Sequence, residues 1–331
     1  MRMSKLVTIY GGSGFVGRYI ARRLAKEGWR IRVAVRRPNE ALFVKPYGAV
    51  GQVEPILCNI RDEDSVRAAM IGADAVVNCV GILVNEGKNK FDSVQTAGAA
   101  NVARIASEQG IARLVQISAI GADSDSPSAY ARSKAAGEAA VLEAYPNAVI
   151  LRPSIIFGSE DGFFNKFAAM ARFTPAVPIT GGDTKFQPVY VDDVAKVAAM
   201  AASGDVAPGI YELGGPDVET FHDLVKKMLG VINRRRFVAS LPFWLAGLMG
   251  GVFDLVQTVT GGLIVNRILT RDQVKNLRAD NVVAEGAKGF ADLGITPTAM
   301  GAILPDYLWR FRPDGQYDAI KASAKNLHKS L

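Results

Sequence analysis

Residues 6–17 read LVTIYGGSGFVG. A β-branched apolar run breaks into glycines at Gly11, Gly14 and Gly17, spaced three apart. Gly11 lets the chain leave a strand in a tight turn, Gly14 lets a pyrophosphate approach the backbone, and Gly17 lets the next helix pack close to the sheet. Glycines at this spacing are weak evidence alone. Here they follow a strand and open an amphipathic helix, in which Phe15, Val16, Tyr19, Ile20, Arg23 and Leu24 recur at helical spacing. The free N–H groups at that helix start, from Ser13 and Gly14 through Phe15 and Val16 to Gly17, are placed to face phosphates.

Outward from this turn, residues 29–37 (WRIRVAVRR) alternate as a second strand that stops at Pro38. A fold that prefers NAD carries Asp or Glu there to hold the ribose 2′-hydroxyl, whereas this chain has Arg36 and Arg37. Two guanidinium groups suit a 2′-phosphate, with nothing nearby to repel it, so the expected cofactor is NADPH. Strands follow at 53–60 (VEPILCNI) and 74–83 (DAVVNCVGIL), with a helix at 62–71 between them. Their near-continuous apolar character is what burial on both faces demands. Their carboxyl ends place Asn59 and Ile60 beside an adenine, and Val80 and Gly81 beside the adenosine ribose and bridging phosphates.

A helix at 93–109 leads to a strand at 112–120 with Ser118 at its carboxyl end, the side on which open α/β sheets bind ligands. Ten residues later a helix begins that carries Tyr130 and Lys134 on one face, at i and i+4. A nearby ammonium favours phenolate, so the lysine is expected to lower the tyrosine pKa while its other donors hold the nicotinamide ribose. Ser118 then positions a carbonyl or hydroxyl. Residues 148–157 read as the sixth strand and a turn, where Pro153 forces an extended exit, and Pro153 and Ile156 complete the candidate cofactor contacts.

Beyond Gly158 the alternation of strands and helices fails. An aromatic helix is expected within 158–173. A short strand at 187–191 runs into a helix capped by Asp192 and Asp193, and 209–213 add a late strand. The expected architecture is α/β, a doubly wound parallel Rossmann sheet with a smaller, interleaved C-terminal lobe. Residues 1–155 form the dinucleotide domain, with return segments around 184–215, and 156–331 form the lobe. After an amphipathic helix at 220–230 and the basic cluster Arg234, Arg235 and Arg236, the only charge from 237 to 266 is Asp254. The first piece of this stretch, FVASLPFWLAGLMGGVF at 237–253, holds an uncharged run just short of the roughly 20 residues that span a bilayer. It reads as a helix or helical pair at a membrane interface or on an apolar partner, with the arginines near anionic headgroups, or equally as a buried helix of the lobe. A polar helix and turn at 270–283 and an exposed helical tail after 317 complete the chain.

The chain has 331 residues, 49% of them hydrophobic, and a formal charge of +7. Basic and acidic residues are interspersed, which argues against a nucleic-acid partner. Cys58 and Cys79 lie in expected buried strands, which fits a reducing compartment. Two histidines and no C-x-x-C give neither a zinc site nor a Ser-His dyad. The apolar run after MRMSK is too short for an export signal.

Over about the first 215 residues this pattern resembles the extended short-chain dehydrogenase/reductases, through the three glycines, Ser118, Tyr130, Lys134, Arg152-Pro153 and Val191-Asp192-Asp193. A narrower resemblance covers nearly the whole chain. FGSEDGFFNKFA at 157–168, LTRDQVKNLRADNVV at 269–283 and RPDGQY at 312–317 are similar to the nucleotide-binding accessory subunits of respiratory complex I, NADH:ubiquinone oxidoreductase. That resemblance implies a tightly held NADPH outside the electron pathway. It implies other complex I subunits as partners, a place on the peripheral arm near the membrane and quinone junction, and peripheral contact with lipid. The short N-terminus suggests a bacterial member on the cytoplasmic side of the inner membrane; a eukaryotic one would lie on the matrix side. Asn59 stands where many extended relatives carry aspartate. The triad Ser118, Tyr130 and Lys134 is intact, so a free NADP(H)-dependent reductase or epimerase remains the alternative, and the same three groups also suit holding a cofactor that does not turn over.

Overall fold

The structure, a computed structural model, describes residues 4–260, 266 and 269–317. Its frame is a parallel sheet of β1 (Leu6–Tyr10), β2 (Arg30–Val35), β3 (Val53–Leu57), β4 (Ala75–Asn78), β5 (Arg113–Ile117), β6 (Val149–Pro153) and a late strand, Gly209–Leu213. Across the sheet the order is late strand, β6, β5, β4, β1, β2, β3. Every residue of β1 and β4 is buried, as expected of central strands covered on both faces. Strand order reverses between β1 and β4, and a crevice opens outside their carboxyl ends.

One face is covered by α1 (Phe15–Lys26) and α6 (Val191–Ser203), where Ile20, Leu24, Val194 and Ala198 pack over Ile9, Val33 and Val77. The other is covered by α2 (Glu63–Met70), α3 (Ala97–Glu108) and α4 (Ala129–Ala144), with Met70, Val102, Ile105 and Val141 over Tyr10, Val76 and Leu114. The strands stop several residues short of the expected ends at 60, 83 and 120, while β6 ends at Pro153 and a turn follows as expected. Past those points only a few backbone bonds to the neighbouring strand continue, such as Cys79 N–H to the Tyr10 oxygen at 2.9 Å, and the chain turns into the loops that line the crevice. Cys58 and Cys79 accordingly follow β3 and β4 rather than lying inside them. A short π-helix, Asp92–Thr96, opens the segment expected to be uniformly α-helical.

Asp192 and Asp193 do not cap α6; its N-cap residue is Tyr190, and both carboxylates sit in the first turn. Asp192 instead takes both arms of Arg23, at 2.7 and 2.6 Å, and locks α6 to α1. Asp193 accepts from the Thr298 N–H at 2.6 Å. The two acids therefore tie the return segment and the C-terminal chain to the sheet.

The smaller lobe is built on α5 (Phe164–Phe173), α7 (Phe221–Val231) and α10 (Met300–Leu308), which share a core with Phe157, Val177 and Ile179. A strand Ala176–Thr180 pairs in parallel with Phe237–Leu241. Residues 237–241 are thus a strand, not part of a helix, because their backbone has a ladder partner. Helix α8 (Phe243–Val259) follows, then α9 (Arg271–Asn276). Only Ala246 and Gly250 of α8 are buried, while Trp244 is 70% and Val259 78% exposed. Among the described residues no helix is long and apolar enough to cross a membrane. The expected helix after 317 lies outside the described residues.

Candidate functional site

The glycine turn sits at the crevice. Gly11 has φ +73°, and a Cβ there would meet Val80 Cγ2 at 3.2 Å, so the turn lies against the exit of β4. Gly17 is buried under the turn, where a Cβ would come within 2.5 Å of the Gly11 carbonyl oxygen. Gly14 is exposed, and a Cβ on it would crowd only that same oxygen, at 3.1 Å. The space Gly14 leaves free therefore faces outward. No side chain caps α1, which leaves the N–H groups of Phe15, Val16 and Gly17 free for an anion. Ser13 lends its carbonyl oxygen to Arg18 Nη2 at 2.9 Å.

Two contributors here went unnoticed in the sequence. A Cβ on Gly12 would lie 3.1 Å from both the Ile9 oxygen and Val33 Cγ1, so this glycine fits the turn between β1 and β2. Arg18 also donates to the Gly14 oxygen at 3.3 Å and lies over the Phe43 ring at 4.7 Å. An arginine immediately after the third glycine was a legible signal.

Arg36 and Arg37 follow β2 and are both exposed. Arg36 has no ion pair among the described residues, whereas Arg37 bonds Glu40 at 3.0 Å. The expectation that nothing nearby would oppose a 2′-phosphate is corrected by Glu40. Since Arg37 and Glu40 are 75% and 68% exposed, the pair is weak and readily exchanged. Asn59 takes the Arg61 N–H on Oδ1 at 3.3 Å, and its own N–H goes to Ser65. Ile60 is buried, with its side chain against Gly98 of α3, so only its backbone is left for a ligand at the crevice.

At the exits of β4 and β5, Lys134 Nζ lies 3.5 Å from the Ile117 oxygen and within 3.4 Å of where a Gly81 Cβ would be. Val80 N–H is held by Asn78 at 3.1 Å. Burial pulls the Lys134 ammonium down to about 8, against Glu138 and Cys79, which favour its charge. Tyr130 is half-buried, edge-on to Phe91, with Lys134 Nζ 5.9 Å from its ring centre. Burial pushes its phenol up to about 12, the reverse of the expected lowering. Desolvation of the phenolate is the cause of that shift.

Ser118 is not turned to Tyr130. Its hydroxyl donates to buried Glu138, and Glu138 receives Arg152 Nη2 at 2.6 Å. Arg152 also reaches Glu212 at 3.3 Å. Three of the expected residues thus divide: Tyr130 and Lys134 share the crevice, and the Ser118 hydroxyl belongs to a buried ionic chain.

The rim is closed by the segment after α8. Asp272 accepts Ser128 Oγ and the Ala129 N–H, each at 2.7 Å, and the Tyr130 N–H at 3.1 Å, so it caps α4 from across the chain. Asn281 takes Ser154 Oγ at 2.7 Å and the Ile155 N–H at 3.2 Å, and gives to the Ile120 oxygen at 3.3 Å. It therefore ties the exits of β5 and β6 together. Pro153 accepts the Ile120 N–H at 3.0 Å, and Ile156 pairs in register with Val189. Local spacing carries no signal for Asp272 or Asn281, which meet partners more than a hundred residues away.

Residues 7–214 match the NAD dependent epimerase/dehydratase family. The sequence is 37% identical over 316 residues to NADH dehydrogenase (ubiquinone) 1 alpha subcomplex subunit 9, mitochondrial, of Arabidopsis thaliana, across 94% of this chain and 79% of that protein. It is 33% identical over 240 residues to the ceramide reductase of Caulobacter vibrioides, across 72% of this chain and 74% of that protein. In fold it is similar to the crystal structure of gox2253, with a TM-score of 0.69 and 21% identity over 95% of this chain and 99% of that one. The chain belongs to the NAD dependent epimerase/dehydratase family and, by the match that runs through its smaller lobe as well, to the accessory subunits of complex I within it.

Proposed function

We propose that this protein is a structural accessory subunit of the peripheral arm of respiratory complex I. It holds NADPH in the crevice at residues 11–17, outside the electron pathway, and sits near the membrane and quinone junction. The observation that carries this reading is α8, along which Trp244, Leu248, Val252, Leu255 and Val259 are all exposed on one helix, in line with a docked subunit. The match to the Arabidopsis protein, which includes this lobe, supports it. Trp244, Leu248 and Leu255 would meet lipid or a neighbouring subunit, and Arg234, Arg235 and Arg236 lie just before the strand that leads to α8. We place the subunit peripherally on the cytoplasmic face of a bacterial inner membrane, with residues 1–155 and the return segments around 184–215 as the dinucleotide domain and the rest of 156–331 as the docking lobe.

The residues fit the cofactor. The N–H groups of Phe15, Val16 and Gly17 would hold the pyrophosphate, and Arg36 would hold the 2′-phosphate, with Arg37 available to it on exchange from Glu40. Asn59 and the Ile60 backbone border the adenine. Val80 and Gly81 border the bridging phosphates, and Tyr130 and Lys134 hold the nicotinamide ribose, with Ser118, Pro153 and Ile156 shaping that end. NADPH, when bound, offers a hydride at its nicotinamide. The Ser118 hydroxyl is committed to Glu138 and so does not orient an acceptor for it.

Native mass spectrometry of gently extracted membranes tests the reading, with NADPH and copurifying subunits expected. A chain that runs alone in mild detergent, without quinone reductase activity beside it, overturns it. The competing reading, a free NADP(H)-dependent reductase, draws on the intact Tyr130 and Lys134 pair and on the similarity to the Caulobacter enzyme. It requires that Tyr130→Phe abolish NADPH-dependent turnover.

A further inference from the structure

Helix α8 is joined to the Tyr130 end of the crevice at two points. On one side Asp254, the charge near its middle, accepts the backbone N–H of Arg271 at 3.1 Å. The next residue, Asp272, is the carboxylate that caps α4 on Ala129 and Tyr130. On the other side Gln257 Nε2 donates to the Asn85 oxygen at 2.9 Å. Asn85 Oδ1 in turn holds the N–H of Phe91 at 2.8 Å, and the Phe91 ring stands edge-on to Tyr130 at 5.9 Å.

Close approach leaves little slack at the first joint. A Cβ on Gly250 of α8 would lie 3.0 Å from the Arg271 nitrogen, so the helix rests on the start of α9. Displacing α8 must therefore shift the backbone of Arg271 and Asp272. The Asp272 carboxylate satisfies two N–H groups at the start of α4 that have no acceptor within the helix. Loss of its position frays the turn that carries Tyr130.

We propose that α8 and the first turn of α4 form one coupled unit, in which order imposed at either end passes to the other through Asp272 and Asn85. The nucleotide-linked half of this inference rests on the reading that the crevice holds NADPH. In that case occupancy against Tyr130 and Lys134 stiffens the docking helix, and docking of α8 tightens the nucleotide by the same factor, because linkage is reciprocal. Adjacency alone does not establish coupling, so the test perturbs one end and reads the other.

Hydrogen–deuterium exchange on the full chain does this without relying on the cofactor. Asp254→Ala with Gln257→Ala lies on α8, where neither residue touches α4. The double variant is expected to speed exchange at residues 129–132 about fivefold, the scale of a lost helix cap. Unchanged exchange there overturns the proposal. In a second arm saturating NADPH is added to the unaltered chain. Protection at 11–17 reports binding, and slower exchange at 243–259 reports transmission. Protection at the turn with no change in α8 overturns the coupling. No protection at either place overturns the NADPH reading, while the double variant still decides the coupling.

Discussion

Ser118 gives its hydroxyl proton to Glu138, and Glu138 is the carboxylate that Arg152 grips at 2.6 Å. The serine expected at the reacting centre thus belongs to an ionic chain that continues to Glu212 and, through its other oxygen, to the Ala284 N–H at 2.8 Å. Removing one member of such a chain strands a charge. Glu138→Ala is expected to cost about 3 kcal/mol. Ser118→Ala should cost less, about 2 kcal/mol, the loss of one hydrogen bond to a charged group that keeps Arg152. Urea unfolding gives both values, and an NADPH titration of Ser118→Ala should move less than twofold. A tenfold loss would put the hydroxyl back on the cofactor.

Arg36 and Arg37 are unequal, because only Arg37 shares its charge with Glu40. Arg36→Ala is expected to weaken NADPH about tenfold or more and leave NADH nearly unchanged. Glu40→Ala should strengthen NADPH about twofold by releasing Arg37. Fluorescence titration with both nucleotides checks this. Equal losses for NADH and NADPH in Arg36→Ala would contradict a 2′-phosphate role.

The three glycines separate by what a methyl group would meet. Gly17→Ala forces a Cβ to 2.5 Å from the Gly11 oxygen and should destabilise by about 3 kcal/mol. Gly14→Ala meets that oxygen at 3.1 Å and otherwise open space, so the fold should survive with a melting temperature close to the parent. Its nucleotide affinity should fall severalfold, since the new methyl lies where phosphate approaches the backbone. Calorimetry beside a binding titration distinguishes the two.

Lys134 makes stability depend on pH. Burial holds its ammonium at about 8 in the folded chain, below its ordinary 10.5. Between these values the unfolded chain binds more protons than the folded one, so stability rises with pH across the window. Below about pH 8 the buried charge is a standing penalty. The Tyr130 phenol, held up to about 12 by burial, stays neutral throughout that range. Denaturation of the parent and of Lys134→Met at both ends of the window should show the rise flattened in the variant.

The outward face of α8 is predicted to be dispensable for folding and necessary for association. Trp244→Ser with Leu255→Ser replaces side chains that are 70% and 61% exposed, so unfolding free energy should change by no more than about 1 kcal/mol. Copurification with quinone reductase activity should drop sharply. An unchanged yield in the complex would remove α8 from the docking surface.

Much of the fold is legible along the chain because its signals are local. A β-branched run before Gly11 and helical periodicity after Gly17 specify a strand, a turn and a helix within about twenty residues. Arg36 and Arg37 read the same way, as charges at a strand end. Strand ends are less legible because DAVVNCVGIL stays largely apolar past Asn78, where β4 ends, and hydropathy does not mark where a neighbouring strand stops. The strand Phe237–Leu241 was missed for a related reason: a short apolar run fits strand or helix until a partner, here Ala176–Thr180, is known.

What the sequence determined by itself is the dinucleotide turn, the parallel sheet behind it and the pairing of Tyr130 with Lys134, each fixed by steric or periodic demands over a few residues. Only the tertiary structure decided where Ser118 sends its proton, which way the Tyr130 phenol is shifted, that α8 faces outward, and that Asp272 and Asn281 bind the rim. Those outcomes depend on burial and on partners outside the local element, twenty residues away for Ser118 and over a hundred for Asp272 and Asn281. Desolvation and hydrogen-bond competition are settled only when the chain is closed around them.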